Sequence, residues 1–232
     1  MNADIHIVST KVLSPELIQY MESVGLTVTQ ADFIRKTILI PDNIDRLSLH
    51  PAIVLTSKTA VHAWMEIVKC LKLDVKQYPV YCLALATKTL CIQYGLRIAG
   101  VATDAYSLAD EILKDKSVTA VTFVCGNLRR DELPDKLKEK GIMVHEIEAY
   151  QTEQSPVKIE QAYKGVLFFS PSAVDSFLSL NPTKSIACFC LGNTTGNHAR
   201  EFGFAEVHVA EAHTPEALVK KVIQHFKNKV NA

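Results

Sequence analysis

The chain has 232 residues, 48% hydrophobic and 22% charged, which excludes disordered, collagen-like and low-complexity classes. Lys plus Arg (25) equals Asp plus Glu (25), so there is no basic excess of the kind that nucleic acid or an anionic membrane surface attracts. No apolar run approaches the ~18 residues of a membrane span, and MNADIHIVSTK at the start carries no basic segment followed by a signal-peptide core. The expectation is a soluble cytoplasmic protein, with no nucleic-acid or membrane partner. At ~150 residues per domain the length allows one to two domains, enough to bury a core without disulfides.

In chain order, short apolar runs alternate with amphipathic stretches. Strands are predicted at Ile5–Ser9, Thr27–Ala31, Ala52–Thr56, Val80–Ala84, Ala120–Cys125, Met143–Tyr150, Val166–Ser170, Ile186–Leu191 and Glu206–Val209. Most are continuous hydrophobic runs (AIVLT, VYCLA, GVLFF, IACFCL), as strands buried on both faces require. Between them the patterning predicts helices at Pro15–Val24, Thr59–Leu71, Thr87–Tyr94, Ser107–Lys114, Arg130–Lys140, Ser172–Leu180, Thr194–Phe202 and Pro215–Lys227. Ser14-Pro15 and Thr214-Pro215 place a capping residue before proline at the first helical position. Gly25, Gly95, Gly141 and Gly203 each fit a helix C-terminal cap. Alternating strand and helix with right-handed crossovers means a doubly wound α/β fold.

A repeat lies within this order. TSKTAVHAW (56–64) resembles FSPSAVDSF (169–177) at an offset of 113, and CLALATKTLCIQYG (82–95) resembles CLGNTTGNHAREFG (190–203) at an offset of 108. Each pair is followed by a capped helix, at Ser107-Leu-Ala-Asp-Glu and Thr214-Pro-Glu-Ala-Leu. Two copies of one α/β unit are expected, with ligand in a cleft outside the carboxyl ends of the strands.

The strand-to-helix turns carry Thr56-Ser57-Lys58-Thr59 and Ala84-Leu85-Ala86-Thr87 in one copy, and Ser170-Pro171-Ser172 and Gly192-Asn193-Thr194-Thr195 in the other. Hydroxyls there either cap the following helix or, with the free helix N–H groups, hold a carboxylate or phosphate. GxGxxG, GxxxxGK[ST], GxSxG and HExxH are all absent, which disfavours dinucleotide, P-loop, α/β-hydrolase and zincin chemistry. A further run, CGNLRRDELPDKLKEKG, reads as a strand, a Gly126-Asn127 turn and a charged helix; Arg129 and Arg130 oppose the dipole at that helix start, which hints at an anion.

The six cysteines (Cys70, Cys82, Cys91, Cys125, Cys188, Cys190) form no CxxC pair and read as small core residues of a reducing compartment. His62, His145, His198 and His213 have no partner at ligand spacing and read as structural or exposed, so no metal site is expected.

The segment CGNLRRDELPDKLKEKGI…YQT resembles a stretch of the uroporphyrinogen-III synthases. The other blocks follow in the family's order: a TS turn with AV after it, FFSPSAV, a GxTT turn with a helix ending in Gly, and TPEALV. The likeness covers nearly all of Ile5–Ile223. It implies two similar doubly wound parallel-sheet, flavodoxin-like domains joined by a two-segment hinge. One would combine residues 1–37 with 154–232 and the other would span 41–150, with linkers at 38–40 and 151–153. It also implies closure of hydroxymethylbilane to uroporphyrinogen III, with loss of water and inversion of ring D, and no cofactor.

The resemblance assigns roles residue by residue. Tyr150, of the Y-Q-T block, would help the hydroxyl leave. Thr56, Ser57, Lys58, Thr87, Gly126, Asn127, Arg129, Ser170, Ser172, Thr194 and Thr195 would bind the substrate carboxylates. Three positions depart from the family pattern. Lys58-Thr59 stands where many members have Pro and Arg, Ala84 replaces a frequent Gly, and Asn193, a residue still able to cap, replaces a common Pro. The implied partners are the linear tetrapyrrole and, transiently, hydroxymethylbilane synthase; balanced charge and missing heptads imply a monomer. The rival reading is a non-catalytic two-domain sensor, which would normally need a DNA-binding segment that this chain has no residues to spare for.

Overall fold

In the computed structural model, residues 5–44, 49–182 and 185–230 are described. They form β1 (Ile5–Ser9), α1 (Pro15–Glu22), β2 (Leu26–Gln30), β3 (Ile34–Ile38), β4 (Ala52–Leu55), α2 (Lys58–Leu71), β5 (Pro79–Leu83), α3 (Ala84–Gln93), β6 (Arg97–Ala102), α4 (Ala105–Lys114), β7 (Ala120–Gly126), α5 (Glu132–Glu139) and β8 (Met143–Gln154). The remainder are β9 (Gly165–Phe168), α6 (Pro171–Leu180), β10 (Ala187–Cys190), α7 (Asn193–Glu201), β11 (Val207–Val209) and α8 (Pro215–Val230). The chain divides into two compact units, Met1–Arg35 with Glu153–Ala232, and Lys36–Thr152. Among the described residues no helix is long and apolar enough to cross a membrane.

The first unit holds a sheet of order β11-β10-β9-β1-β2, and the second a sheet of order β3-β8-β7-β4-β5-β6. β1, β2, β9, β10 and β11 pair in parallel, as do β4 to β8. The order in the first unit is flavodoxin-like, 2-1-3-4-5 in its own chain order. In the second unit β8-β7-β4-β5-β6 becomes 5-4-1-2-3 in its own chain order, the other doubly wound arrangement. The two are nevertheless one spatial pattern. The sequence repeat sets β4, β5 and β6 against β9, β10 and β11, and β7-β8 then occupy the places of β1-β2. The units are copies related by circular permutation: the pair of strands that ends one copy begins the other.

Core packing follows from this. Along β4, Ile53 and Leu55 face α2 and α3 with Trp64, Ile67 and Cys91, while Ala52 and Val54 face α4 and α5 with Leu108, Ile112 and Leu137. β9 does the same: Val166 and Phe168 pack with Val174 and Phe177, and Leu167 with Leu218 and Phe226. The repeat partners Trp64 and Phe177 are both fully buried, as are Val61 and Val174. A side chain of that size stabilises the fold by about 1.5–3 kcal/mol through burial alone.

The repeated hydroxyls are caps. Ser57 Oγ accepts from the Ala60 N–H (3.1 Å) and Ser170 Oγ from the Ala173 N–H (3.3 Å). Helix α4 starts earlier than expected, because Asp104 rather than Ser107 caps it, accepting from the Ser107 N–H at 2.8 Å. Thr214 holds the equivalent position on α8, accepting from the Ala217 N–H at 3.2 Å. Asn193 is not a cap: Gly192 is the N-cap and Asn193 is the first residue of α7. The four C-terminal glycines have φ between +70° and +91°, as left-handed caps require. Of the cysteines, Cys70 is exposed and the other five are buried. Cys188 and Cys190 share one face with sulfurs 3.4 Å apart.

Two strands lie outside the expected set. β6, RIAGVA, is an edge strand that opens on exposed Arg97 and is made largely of small residues, and β3, IRKTI, is largely exposed. The chain passes between the units within β3 and near the end of β8, in strand rather than in separate polar linkers.

Ala84 has φ +61°, in the left-handed region where a Cβ is strained. The geometry of the β5–α3 turn therefore asks for glycine. Ala84→Gly should relieve about 1–2 kcal/mol of strain and lose about 0.4–1 kcal/mol to the freer unfolded chain, a net gain of roughly 0.5–1 kcal/mol. Urea midpoints should rise accordingly; an unchanged or lower midpoint would show the turn to be unstrained.

Candidate active site

Parallel strands deliver their turns to one edge of the sheet, and in the second unit that edge holds a cleft of about 410 Å³. Its walls come from the ends of β4 (Thr56), β5 (Leu83), β7 (Phe123, Cys125) and β8 (Tyr150), with Asp104 at the start of α4 and Leu128, Arg129, Arg130 and Glu132 from the β7–α5 loop. Among the expected residues, Tyr150, Thr56 and Arg129 line this cleft, and Ser57 joins them through Tyr150, with Ser57 Oγ 3.3 Å from the phenol oxygen.

Tyr150 is fixed from behind. Its ring lies against Gly126, where a Cβ would come within 2.2 Å of Cε2. The β7–β8 register shifts between Cys125 and Gly126, which sets Gly126 opposite Tyr150. Asn127 then extends the ladder with its side chain: its amide donates to the Thr152 carbonyl (3.2 Å), its amide oxygen accepts from the Thr152 N–H (2.8 Å), and its own N–H donates to the Tyr150 carbonyl (3.3 Å). Gly126 and Asn127 thus hold the strand carrying the tyrosine.

Burial raises the Tyr150 phenol above its ordinary 10.0, with the Ser57 hydrogen bond opposing the shift. The group stays protonated at neutral pH and can donate. Cys125, buried beside Glu146, is pushed up to about 12, which removes it as a nucleophile. The exposed Asp104 is held below the ordinary carboxylate range by the N–H and hydroxyl of Ser107. Among the described lining residues, Tyr150 is the one suited to act as a weak acid near neutrality.

The cations divide. Arg129 is gripped by Asp131 and Glu146, and Glu146 also takes Lys138 at 3.0 Å; the bond to Asp131 raises the guanidinium further above its ordinary value. Arg130, its neighbour, lines the cleft and makes no ion pair among the described residues. The charge doublet showed both arginines, but only the fold shows which one is committed. Lys58 is exposed at the first turn of α2, away from the cleft lining, and Thr87 is buried in α3.

In the first unit, Ser170 and Ser172 share a hydrogen bond of 3.0 Å at the end of β9. Thr194 is exposed and Thr195 buried in the first turn of α7, beyond β10. His213 packs on Gly192, whose Cβ would meet Nδ1 at 2.9 Å. His198 is tied to Asp175 at 2.7 Å, joining α7 to α6.

The chain is a duplicated doubly wound α/β protein, with a half-buried phenol and capped helix N-termini at its strand ends. The family model for uroporphyrinogen-III synthase HemD matches residues 15–220, and the chain belongs to that family. Enzymes of this family are cofactor-independent cyclising lyases of haem biosynthesis, closing hydroxymethylbilane to uroporphyrinogen III. The fold agrees with that of solved relatives. A uroporphyrinogen-III synthetase from Helicobacter pylori matches at TM-score 0.72 and 17% identity, over 95% of this chain and 99% of that one. A mutant uroporphyrinogen III synthase from the extremely thermophilic bacterium Thermus thermophilus matches at TM-score 0.66 and 16% identity, over 98% and 99%. The wild-type Thermus enzyme in a second crystal form matches at 0.54 and 16%, over 97% and 99%.

Gly126→Ala should push the Tyr150 ring off its seat and cost turnover by about the same factor as loss of the phenol itself. The double variant with Tyr150→Phe should be little worse than either single one, because both remove one arrangement. Independent, multiplying losses in kcat would break that linkage.

Proposed function

We propose that Tyr150 supplies the proton that lets the terminal hydroxyl of hydroxymethylbilane leave as water, and that the turns around it orient the resulting chain. The observation that carries this is the phenol held over Gly126, 3.3 Å from Ser57 and kept protonated by burial, at the carboxyl edge of the second sheet. Departure of hydroxide is poor without a donor, and a weak acid in place is worth about 10²–10⁴-fold. The product is an electron-poor azafulvene. Ring D then attacks through its substituted carbon, giving a spiro intermediate that reopens and closes with that ring inverted. Uncatalysed closure uses the free carbon instead, so catalysis here is mainly holding the chain in the harder geometry.

Arg130 and the N–H groups that open α2 and α4 hold substrate carboxylates, with Thr56 and Ser57 as hydroxyl donors. In the first unit Ser170, Ser172, Thr194 and Thr195 stand at the equivalent turns and serve the same purpose. Lys58 adds an exposed charge at the mouth of its turn. Arg129, saturated by Asp131 and Glu146, shapes the loop rather than binding substrate. The protein acts as a monomer in the cytoplasm, a reading supported by its balanced charge and by five buried free thiols that suit a reducing compartment. Transient contact with hydroxymethylbilane synthase fits a substrate that closes by itself to the wrong isomer.

Incubation with freshly made hydroxymethylbilane, with the I and III isomers resolved by chromatography, tests the whole reading; exclusive type I product sinks it. Tyr150→Phe should lower kcat about a hundredfold with the fold intact. Any loss of wild-type rate from Tyr150 ionisation should set in at higher pH than it would for a free phenol, since burial raises its pKa. Unchanged turnover in the purified variant rejects the acid role. Arg130→Ala should raise KM several-fold with little change in kcat, whereas Arg129→Ala should chiefly lower stability. Equal KM effects from both would mean that the ion pairs of Arg129 do not hold it back from substrate.

A further inference from the structure

His208 and His225 are far apart in sequence, yet the fold joins them. His208 lies in β11, the edge strand of the first sheet, and His225 on α8. Their rings are 4.6 Å apart. Glu206 stands two residues before His208, so both side chains leave the strand on the same side. Its backbone is fixed there, because the Cys188 N–H donates to the Glu206 carbonyl at 2.8 Å.

The geometry is that of a ligand set. Glu206 Oε1 lies 3.4 Å from His208 Nε2 and 3.5 Å from His225 Nε2, and all three ligand atoms fall within 4.8 Å of one another. A tetrahedral ion with bonds of about 2.0–2.1 Å has ligand–ligand edges of roughly 3.3–3.4 Å, so two of the three edges already stand close to bonding distance. The rings are oriented by packing. His208 stacks on Phe189 at 5.1 Å and 19°, and His225 meets the same ring edge-on at 5.3 Å and 77°. Phe189 is fully buried, which makes it a rigid platform for both imidazoles. The His225 side chain is 10% exposed and that of Glu206 42%, so the set is closed on the helix side and open on the other, where water can complete the coordination.

We propose that Glu206, His208 and His225 form a binding site for a zinc-class divalent cation that ties the edge strand β11 to the C-terminal helix α8. Two imidazoles and one carboxylate suit a borderline ion such as Zn²⁺, whereas Mg²⁺ and Ca²⁺ require sets built of oxygen. The site belongs to the first unit alone, shares no residue with the turns assigned to the cyclisation, and takes no part in that chemistry. Its role is to staple a three-residue edge strand to the helix that covers it.

The test is zinc binding to the full chain after treatment with EDTA and dialysis, read by competition with a chromogenic chelator. One zinc per chain is expected, with a rise in melting temperature of about 5 °C or more when zinc reaches roughly a hundredfold over its Kd. His208→Asn and Glu206→Gln, both at partly exposed positions, should each weaken binding at least tenfold while leaving the far-ultraviolet circular dichroism unchanged. Cys70→Ser should leave binding as it was. No stoichiometric zinc, full binding in the His208 and Glu206 variants, or loss of binding in the Cys70 variant would each overturn the site.

Discussion

Parallel pairing imposes one constraint from which the rest follows: every strand of a sheet ends at the same edge. The turns after β4, β5, β6 and β7 must therefore meet, and so must the N-termini of the helices they start. Each helix brings unpaired N–H groups and the positive end of its dipole to that edge. Ser57 and Asp104 each satisfy one such N–H group in the second unit, and Ser170 and Thr214 do so in the first. The cleft is thus a by-product of topology before any side chain specialises it. The permuted first unit obeys the same rule with a different chain order.

A neutral chain cannot gather a polycarboxylate through its overall field. Attraction has to be local, and the second unit shows how little charge is left for it. Arg129 sits next to Arg130, but two carboxylates hold the first, and Asp104 and Glu132 add negative charge to the same walls. On the proposed reading, binding depends on backbone N–H groups and hydroxyls as much as on cations. Such fixed dipoles suit an enzyme whose task is to choose between two ring closures, because they orient without reorganising. The same economy suits the phenol proposed as the acid. A phenol raised by burial stays protonated near neutrality, so it does not add to the negative charge around an anionic substrate.

How much of this could be read from the sequence depended on burial. β4 (AIVL) and β9 (GVLF) are covered on both faces and therefore read as apolar runs. β3 and β6 lie at sheet edges; β3 carries Arg35 and Lys36 in place of such a run, and β6 is built of small residues around Gly100 that give a weak strand signal. The repeat of Ser57-x-x-Ala60-Val61 in Ser170-x-x-Ala173-Val174 was legible because a cap and a core contact both demand it. Its permuted relation was not, since β1 and β2 share only a place in the sheet with β7 and β8. Tyr150 was singled out through its resemblance to the family block, and the fold places it in the cleft wall. What holds it was not legible: a register shift that leaves Ala149 unpaired opposite Cys125 and Gly126, and an asparagine imitating a strand, are three-dimensional facts. The same holds for His208 and His225, whose proximity depends on a helix crossing an edge strand.

Circular permutation also gives the molecule a timetable. A ribosome finishes residues 36–152 as one uninterrupted stretch, so the second unit can close on itself as soon as β8 emerges. The first unit has no such freedom. β1 pairs with β2 locally but also with β9, matching Val8 to Val166, and β9 in turn needs β10. At about 5–20 residues per second the opening ribbon waits roughly seven to thirty seconds for its partners. During that interval Ile7 and Val8, fully buried in the finished protein, have only half a sheet to lie in. The brevity of β1 and β2, five residues each, limits how much sticky surface is left waiting.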